Sequence, residues 1–99
     1  MASVALPSRL TIGEARASLA ALEPALGPSG NGSGAVVVDA SALAAFDTSA
    51  IAVLLELRRQ AQAIGRTLAV RGAPAAMVDL AGLYGVADLL GFEAVRPAA

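Results

Sequence analysis

Ala35-Val36-Val37-Val38-Asp39, followed by Phe46-Asp47-Thr48-Ser49-Ala50-Ile51-Ala52-Val53-Leu54-Leu55, is the part of the chain from which the architecture follows. The valine run is continuous rather than alternating, as in a strand covered on both faces in a parallel or mixed sheet, and β-branched side chains suit that setting. It predicts the central strand. From Ala50 to Ile64 there is neither Gly nor Pro, which predicts the main helix. Asp47, Thr48 and Ser49 precede it as capping types, and Gly65 follows in the C′ position, where a left-handed backbone is tolerated.

Outward from this stretch the signals alternate. Val4 to Leu6 predicts a brief edge strand stopped by Pro7. Thr11-Ile12-Gly13-Glu14 fits a capping box, with Glu14 reaching back three residues, and Ile12, Ala15, Leu19, Leu22 and Leu26 then recur at spacings of three and four, predicting a first helix over Ile12 to Leu26. Gly27 to Gly34 has the composition of a flexible loop. Arg66 to Arg71 predicts another strand. Pro74 then stands at the first position of a third helix whose apolar stripe is Met77, Leu80, Ala81 and Tyr84. Gly85 ends that helix, and Val86 to Phe92 is expected to pack Leu89, Leu90 and Phe92 on the body. The fold class expected is an α/β sandwich, a small mixed or parallel sheet covered by about three to four helices, in one domain spanning residues 1–99.

Composition removes several functions. The chain has 99 residues with no Cys and no His, which excludes disulfides, thiolate nucleophiles, the usual zinc ligands and the side chain most often titrating near neutrality. Seven arginines nearly balance eight acidic residues, and a net charge of -1 gives no reason to approach nucleic acid or an anionic membrane. Residues 1–10 lack the basic start and apolar run of a signal peptide, and no apolar stretch is long enough to cross a bilayer, so a cytoplasmic protein without direct membrane insertion is expected. With 25 alanines, the core is built from small side chains and a limited set of larger ones.

Function is sought on the main helix. At about 100° per residue, Ala50, Val53, Leu54, Leu57, Ala61 and Ile64 form the face that packs on the sheet. The opposite face carries Ile51, Ala52 and Leu55, then Arg58, Arg59 and Gln62. Apolar residues beside arginines have the make-up of a small interface. Partner binding is therefore expected through Asp47, Thr48, Ser49, Ile51, Ala52, Leu55 and Arg58. The helix N-terminus favours negative charge, and a phosphate on Thr48 or Ser49 would add about -1.5 to -2 charges there. Capping alone is the plainer role for these three residues.

The residues Val36-Val37-Val38-Asp39, Phe46-Asp47-Thr48-Ser49-Ala50, Leu54-Leu55, Gly65 before the next strand, and Leu80 to Leu90 together resemble the STAS domain, named for sulphate transporters and anti-sigma factor antagonists. The likeness covers Val36 to Phe92 well and the first third loosely. The resemblance implies a non-catalytic binding module in which Thr48 matches the family's regulatory phosphorylation site. Ala50-Ile51 stands where the family usually has Gly-Leu. A threonine at position 48 is similar to the MlaB-like subunit of the phospholipid-transport ABC system that maintains outer-membrane lipid asymmetry. There the matching threonine helps contact the ATPase subunit, which implies such a partner and a peripheral place at the inner membrane through it. An anti-sigma factor kinase is the partner implied by the antagonist branch, and a homodimer is compatible with either.

Other signals point to a different class, a nucleotide-binding module or enzyme. The Gly27 to Gly34 loop lacks a Gly-Lys-Ser/Thr ending and leads into a strand, unlike a phosphate cradle. Asp39 and Asp47 lack a third carboxylate or a lysine partner for metal or phosphoacceptor chemistry, so capping and turn roles are preferred. No cofactor or metal is expected.

Overall fold

Val36, Val37 and Val38 take up the middle of the sheet, where β-branched side chains pack on neighbouring strands without losing further rotamer freedom. The structure is a computed structural model and describes residues 2–26 and 35–92. In chain order its elements are β1 (Ala2–Ala5), β2 (Arg9–Leu10), α1 (Ala15–Leu22) continued by a 3-10 turn (Glu23–Leu26), β3 (Ala35–Asp39), β4 (Ala45–Phe46), α2 (Thr48–Ala63), β5 (Thr67–Arg71), α3 (Ala75–Leu83) and α4 (Ala87–Leu90). β3 lies between β1 and β5 and is parallel to both. The fold is thus α/β, with a small parallel sheet and, among the described residues, four α-helices, and the valine run is its central strand. The expected glycine-rich loop falls at residues 27–34, outside the described residues.

A second, two-stranded parallel sheet joins β2 to β4, with Leu10 opposite Phe46. Neither strand was legible in the sequence, because two residues carry no period. Their pairing has a long reach. β2 runs into the turn before α1 and β4 into the N-cap of α2, so residues 11–14 and residues 47–49 are delivered side by side.

The core confirms most of the predicted inner face of α2. Ala50, Val53, Leu54, Leu57 and Ala61 are buried, together with Val36, Val38, Leu68, Val70, Met77 and Leu90, while Ile64 is half-buried against them. Four expectations are corrected. The first helix starts at Ala15, not Ile12, and Ile12 is 78% exposed. The Ile12 amide donates to Asp47 instead of entering the helix, which holds the preceding turn outside it. Tyr84 is the C-cap of α3 and is exposed, so the α3 stripe is limited to Met77 and Ala81, with Leu80 partly covered. Leu89 faces water while Leu90 is buried, and Phe92 packs on the core as expected. Among the described residues, no helix is long and apolar enough to cross a membrane.

Candidate functional site

Asp47 organises the start of α2. Its backbone is extended, and its side chain accepts from the Ser49 amide at 2.8 Å, a cap on one of the helix's orphan donors. Its other carboxylate oxygen accepts from the Ile12 amide at 3.1 Å. One carboxylate therefore caps α2 and ties down the turn ahead of α1. These bonds, that to Ser49 foremost, hold the Asp47 carboxyl below its ordinary range. The turn is closed by its own contacts: the Thr11 amide and hydroxyl both donate to Glu14 Oε1, at 2.9 and 2.6 Å, and Arg9 pairs with Glu14 at 3.4 Å. Glu14 thus reaches back as the capping box predicts. The Thr11 hydroxyl donates to it rather than capping an amide.

Thr48, next in the chain, is exposed, and its hydroxyl has no hydrogen-bond partner among the described residues. Ser49 is half-buried beside the Asp47 carboxylate. Ala52, one turn beyond Thr48, is exposed and lines two apolar clefts, one on each side of α2. The first, about 270 Å³, lies towards α1 and is bounded by Ile12, Ala15, Arg16, Leu19, Ser49, Ala52 and Val53. The second, about 330 Å³, lies towards the α3–α4 junction and is bounded by Thr48, Ile51, Ala52, Leu55, Tyr84 and Val86.

The expectation for Ile51 is overturned. It is 4% exposed and belongs to the core, and Leu55 is half-buried against that core. The packing of α3 and α4 on α2 accounts for this: α2 is covered on a flank as well as on its sheet face, and Tyr84 and Val86 line the same cleft as Ile51. The open ridge of α2 is therefore Thr48 and Ala52, and Ile51 and Leu55 form the floor of a cleft beside it. Ile12 and Tyr84, which flank the two clefts, are exposed although the spacing of apolar residues predicts both on buried stripes. Their exposure at the ends of elements was the signal available, since a stripe is least binding on its terminal member.

The charges further along α2 divide. Arg59 donates to both carboxylate oxygens of Glu56, with Nε at 2.9 Å from Oε1, and Gln60 donates to Glu56 at 3.0 Å. Those bonds, chiefly from Arg59, bring the Glu56 carboxyl down to about 2. Half-buried Arg58, and exposed Arg16 on α1, have no ion-pair partner among the described residues.

Asp39 and Asp47 have no hydrogen-bond partner in common among the described residues. Asp39 accepts from the Ser41 amide at 2.9 Å, in a polar cleft of about 300 Å³ with Val37, Arg71 and Gly72 at the ends of β3 and β5. Ser41, with nearby Arg71 as a smaller influence, lowers its pKa. The described residues contain no cluster of three or more metal-ligating side chains.

Compared with known proteins, residues 2–91 match the family model described as "Mlab, STAS domain". No curated protein and no solved structure gives a significant match.

Proposed function

The chain belongs to the MlaB-type STAS domain family, whose members are in general small regulatory or adaptor modules rather than catalysts, and from that premise we propose that it binds and regulates a partner protein through the Thr48–Ala52 ridge of α2. The observation that carries this reading is the exposed Thr48 hydroxyl, without a partner among the described residues, on a helix end that Asp47 already caps and one turn before Ala52, which borders two apolar clefts. Because the Asp47 side chain supplies the cap on Ser49, the Thr48 hydroxyl is not used in capping and is left for another molecule. Within the adaptor class, the partner favoured is the ATPase subunit of an MlaB-type phospholipid-transport ABC system, which would hold the protein at the cytoplasmic side of the inner membrane.

The same exposed hydroxyl supports a second reading, control by phosphorylation as in an anti-sigma factor antagonist. A phosphate there would add about -1.5 to -2 charges; the helix N-terminus accommodates them, but a partner surface matched to a neutral hydroxyl does not. The two readings separate by co-purification. An ATPase that stays bound after phosphatase treatment supports the first, whereas a serine/threonine kinase that dissociates when Thr48 carries phosphate supports the second.

Thr48→Glu tests the site itself. Partner binding is expected to weaken at least tenfold while far-UV circular dichroism and Tm change little, because the added charge sits at the favourable helix end. Undiminished binding by the folded variant would remove Thr48 from the interface.

A further inference from the structure

We propose that the partner element seated on this face is an amphipathic helix carrying acidic residues beside its apolar anchors, which straddles the Thr48–Ala52 ridge and pairs with Arg16 on one side and Arg58 on the other. The proposal rests on the adaptor reading above and adds the chemistry of what is bound.

Shape argues for a helix. Thr48 and Ala52 stand one turn apart on the exposed row of α2, and Ala52 borders both clefts, so the ridge between them is low. A small side chain there lets a second helix approach to the usual interaxial distance of about 8–10 Å. Partner side chains three and four residues apart then fall on opposite sides of the ridge, one into each cleft.

Charge argues for acid. The carboxylates of α2 and of the turn before α1 are already engaged: Asp47 by two amides, Glu14 by Thr11 and Arg9, Glu56 by Arg59 and Gln60. Arg16 and Arg58 lack an ion pair among the described residues. Two arginines without an ion pair among the described residues thus flank the face, although the chain as a whole carries -1. Arg16 borders the cleft towards α1, so anything filling that cleft also withdraws water from its guanidinium. Arg58 follows Leu55 by three residues and extends the line of the other cleft. Covering an unpaired cation is costly, whereas supplying a carboxylate offsets that cost. A basic or wholly apolar helix would fit the clefts but leave both arginines opposed or unpaired.

The test uses the full chain, ¹⁵N-labelled, and two synthetic helical peptides. Both carry leucines at spacings of three and four; one has glutamates flanking them and the other has lysines at the same places. The glutamate peptide is expected to shift the amide signals of α1 and the first three turns of α2, and to bind roughly tenfold more tightly at low salt, the scale of two exposed charge pairs made or opposed. In the double variant Arg16→Glu, Arg58→Glu, shown to be folded by circular dichroism, the preference should invert. Equal affinity for the two peptides, or a preference unchanged in the double variant, overturns the proposal. So does binding of the chain to phosphatidylglycerol vesicles while neither peptide binds, which would assign the face to a lipid surface. Self-association that Ala52→Arg abolishes and the glutamate peptide cannot displace also overturns it, in favour of a second copy of this chain. The two levels of inference fail differently with the native partner. If Ala52→Arg abolishes its binding and the double arginine variant does not, only the acidic helix is wrong; if Ala52→Arg has no effect, the adaptor surface itself is wrong.

Discussion

Ile51 and Ala52 are neighbours in sequence, yet the first is core and the second is open to solvent. A helix rotates about 100° per residue, so one step at the edge of a buried arc is enough to cross from protein to water. The two positions should therefore fail in opposite ways. Ile51→Ala is expected to cost about 2–5 kcal/mol through lost burial and a residual cavity, a large part of the 5–15 kcal/mol or so that stabilises a domain of this size. Ala52→Arg should stay within about 0.5 kcal/mol of the wild type and lose partner binding. Urea unfolding of both variants beside a binding assay checks the pair, and an Ile51→Ala protein of unchanged stability would contradict the core assignment. The Asp47 cap on Ser49 was legible in the sequence, because it joins residues two apart whose types announce it. The bond from Ile12 to the same carboxylate spans 35 positions and left no local trace.

At the level of elements, the strands and helices with a full period were the ones the sequence could predict. β3, β5 and α2 fall within a residue or two of their expected ends, and Gly65 follows α2 with φ +80°, the left-handed backbone expected of it. β2 and β4 had no period to read. They matter because they set α1 and α2 side by side with their N-terminal turns touching. The closing segment shows a similar dependence on close approach. Gly91 has φ +63°, and a Cβ on it would stand 2.5 Å from the Leu68 carbonyl oxygen of β5. The Val70 amide donates to the Gly91 carbonyl at 3.0 Å, and Phe92 bridges to Val70, so this glycine lets the chain after α4 lie along the edge of β5. Gly91→Ala should cost at least about 1 kcal/mol, from backbone strain and the clash together, with faster hydrogen exchange at Val70. Unchanged exchange there would show that the junction tolerates a side chain.

For the molecule as a whole, one cluster of polar side chains joins α2 to the segment after α1, and within it the Glu56 carboxyl is depressed. Gln60 on α2 donates to Glu23 at the start of the 3-10 turn, at 2.7 Å, and to Glu56, while Arg59 holds Glu56 from the other side. The folded-state pKa of Glu56 is about 2, against 4.5 for an ordinary glutamate. A depressed carboxylate contributes stability that is complete above the ordinary value and is lost as pH falls through the folded value. Glu14, Asp39 and Asp47 shift in the same direction. Stability should therefore decline as pH falls from about 4.5 towards 2, and Glu56→Gln should make that decline shallower, the more so at low salt because the pair lies at the surface. Urea midpoints measured across that range check this, and parallel profiles for wild type and variant would remove Glu56 from the account. The amino-acid sequence by itself determined the valine strand, the capped main helix, the α/β class and the lack of thiol or imidazole chemistry, since each depends on residue type and spacing within a few positions. Only the tertiary structure decided which flank of α2 is closed, because α3 and α4, some thirty residues further along the chain, pack against the side that carries Ile51. It likewise decided that Ile12 stands beside Asp47. Local periodicity fixes where a side chain points, but what it meets there depends on which distant segment packs against it.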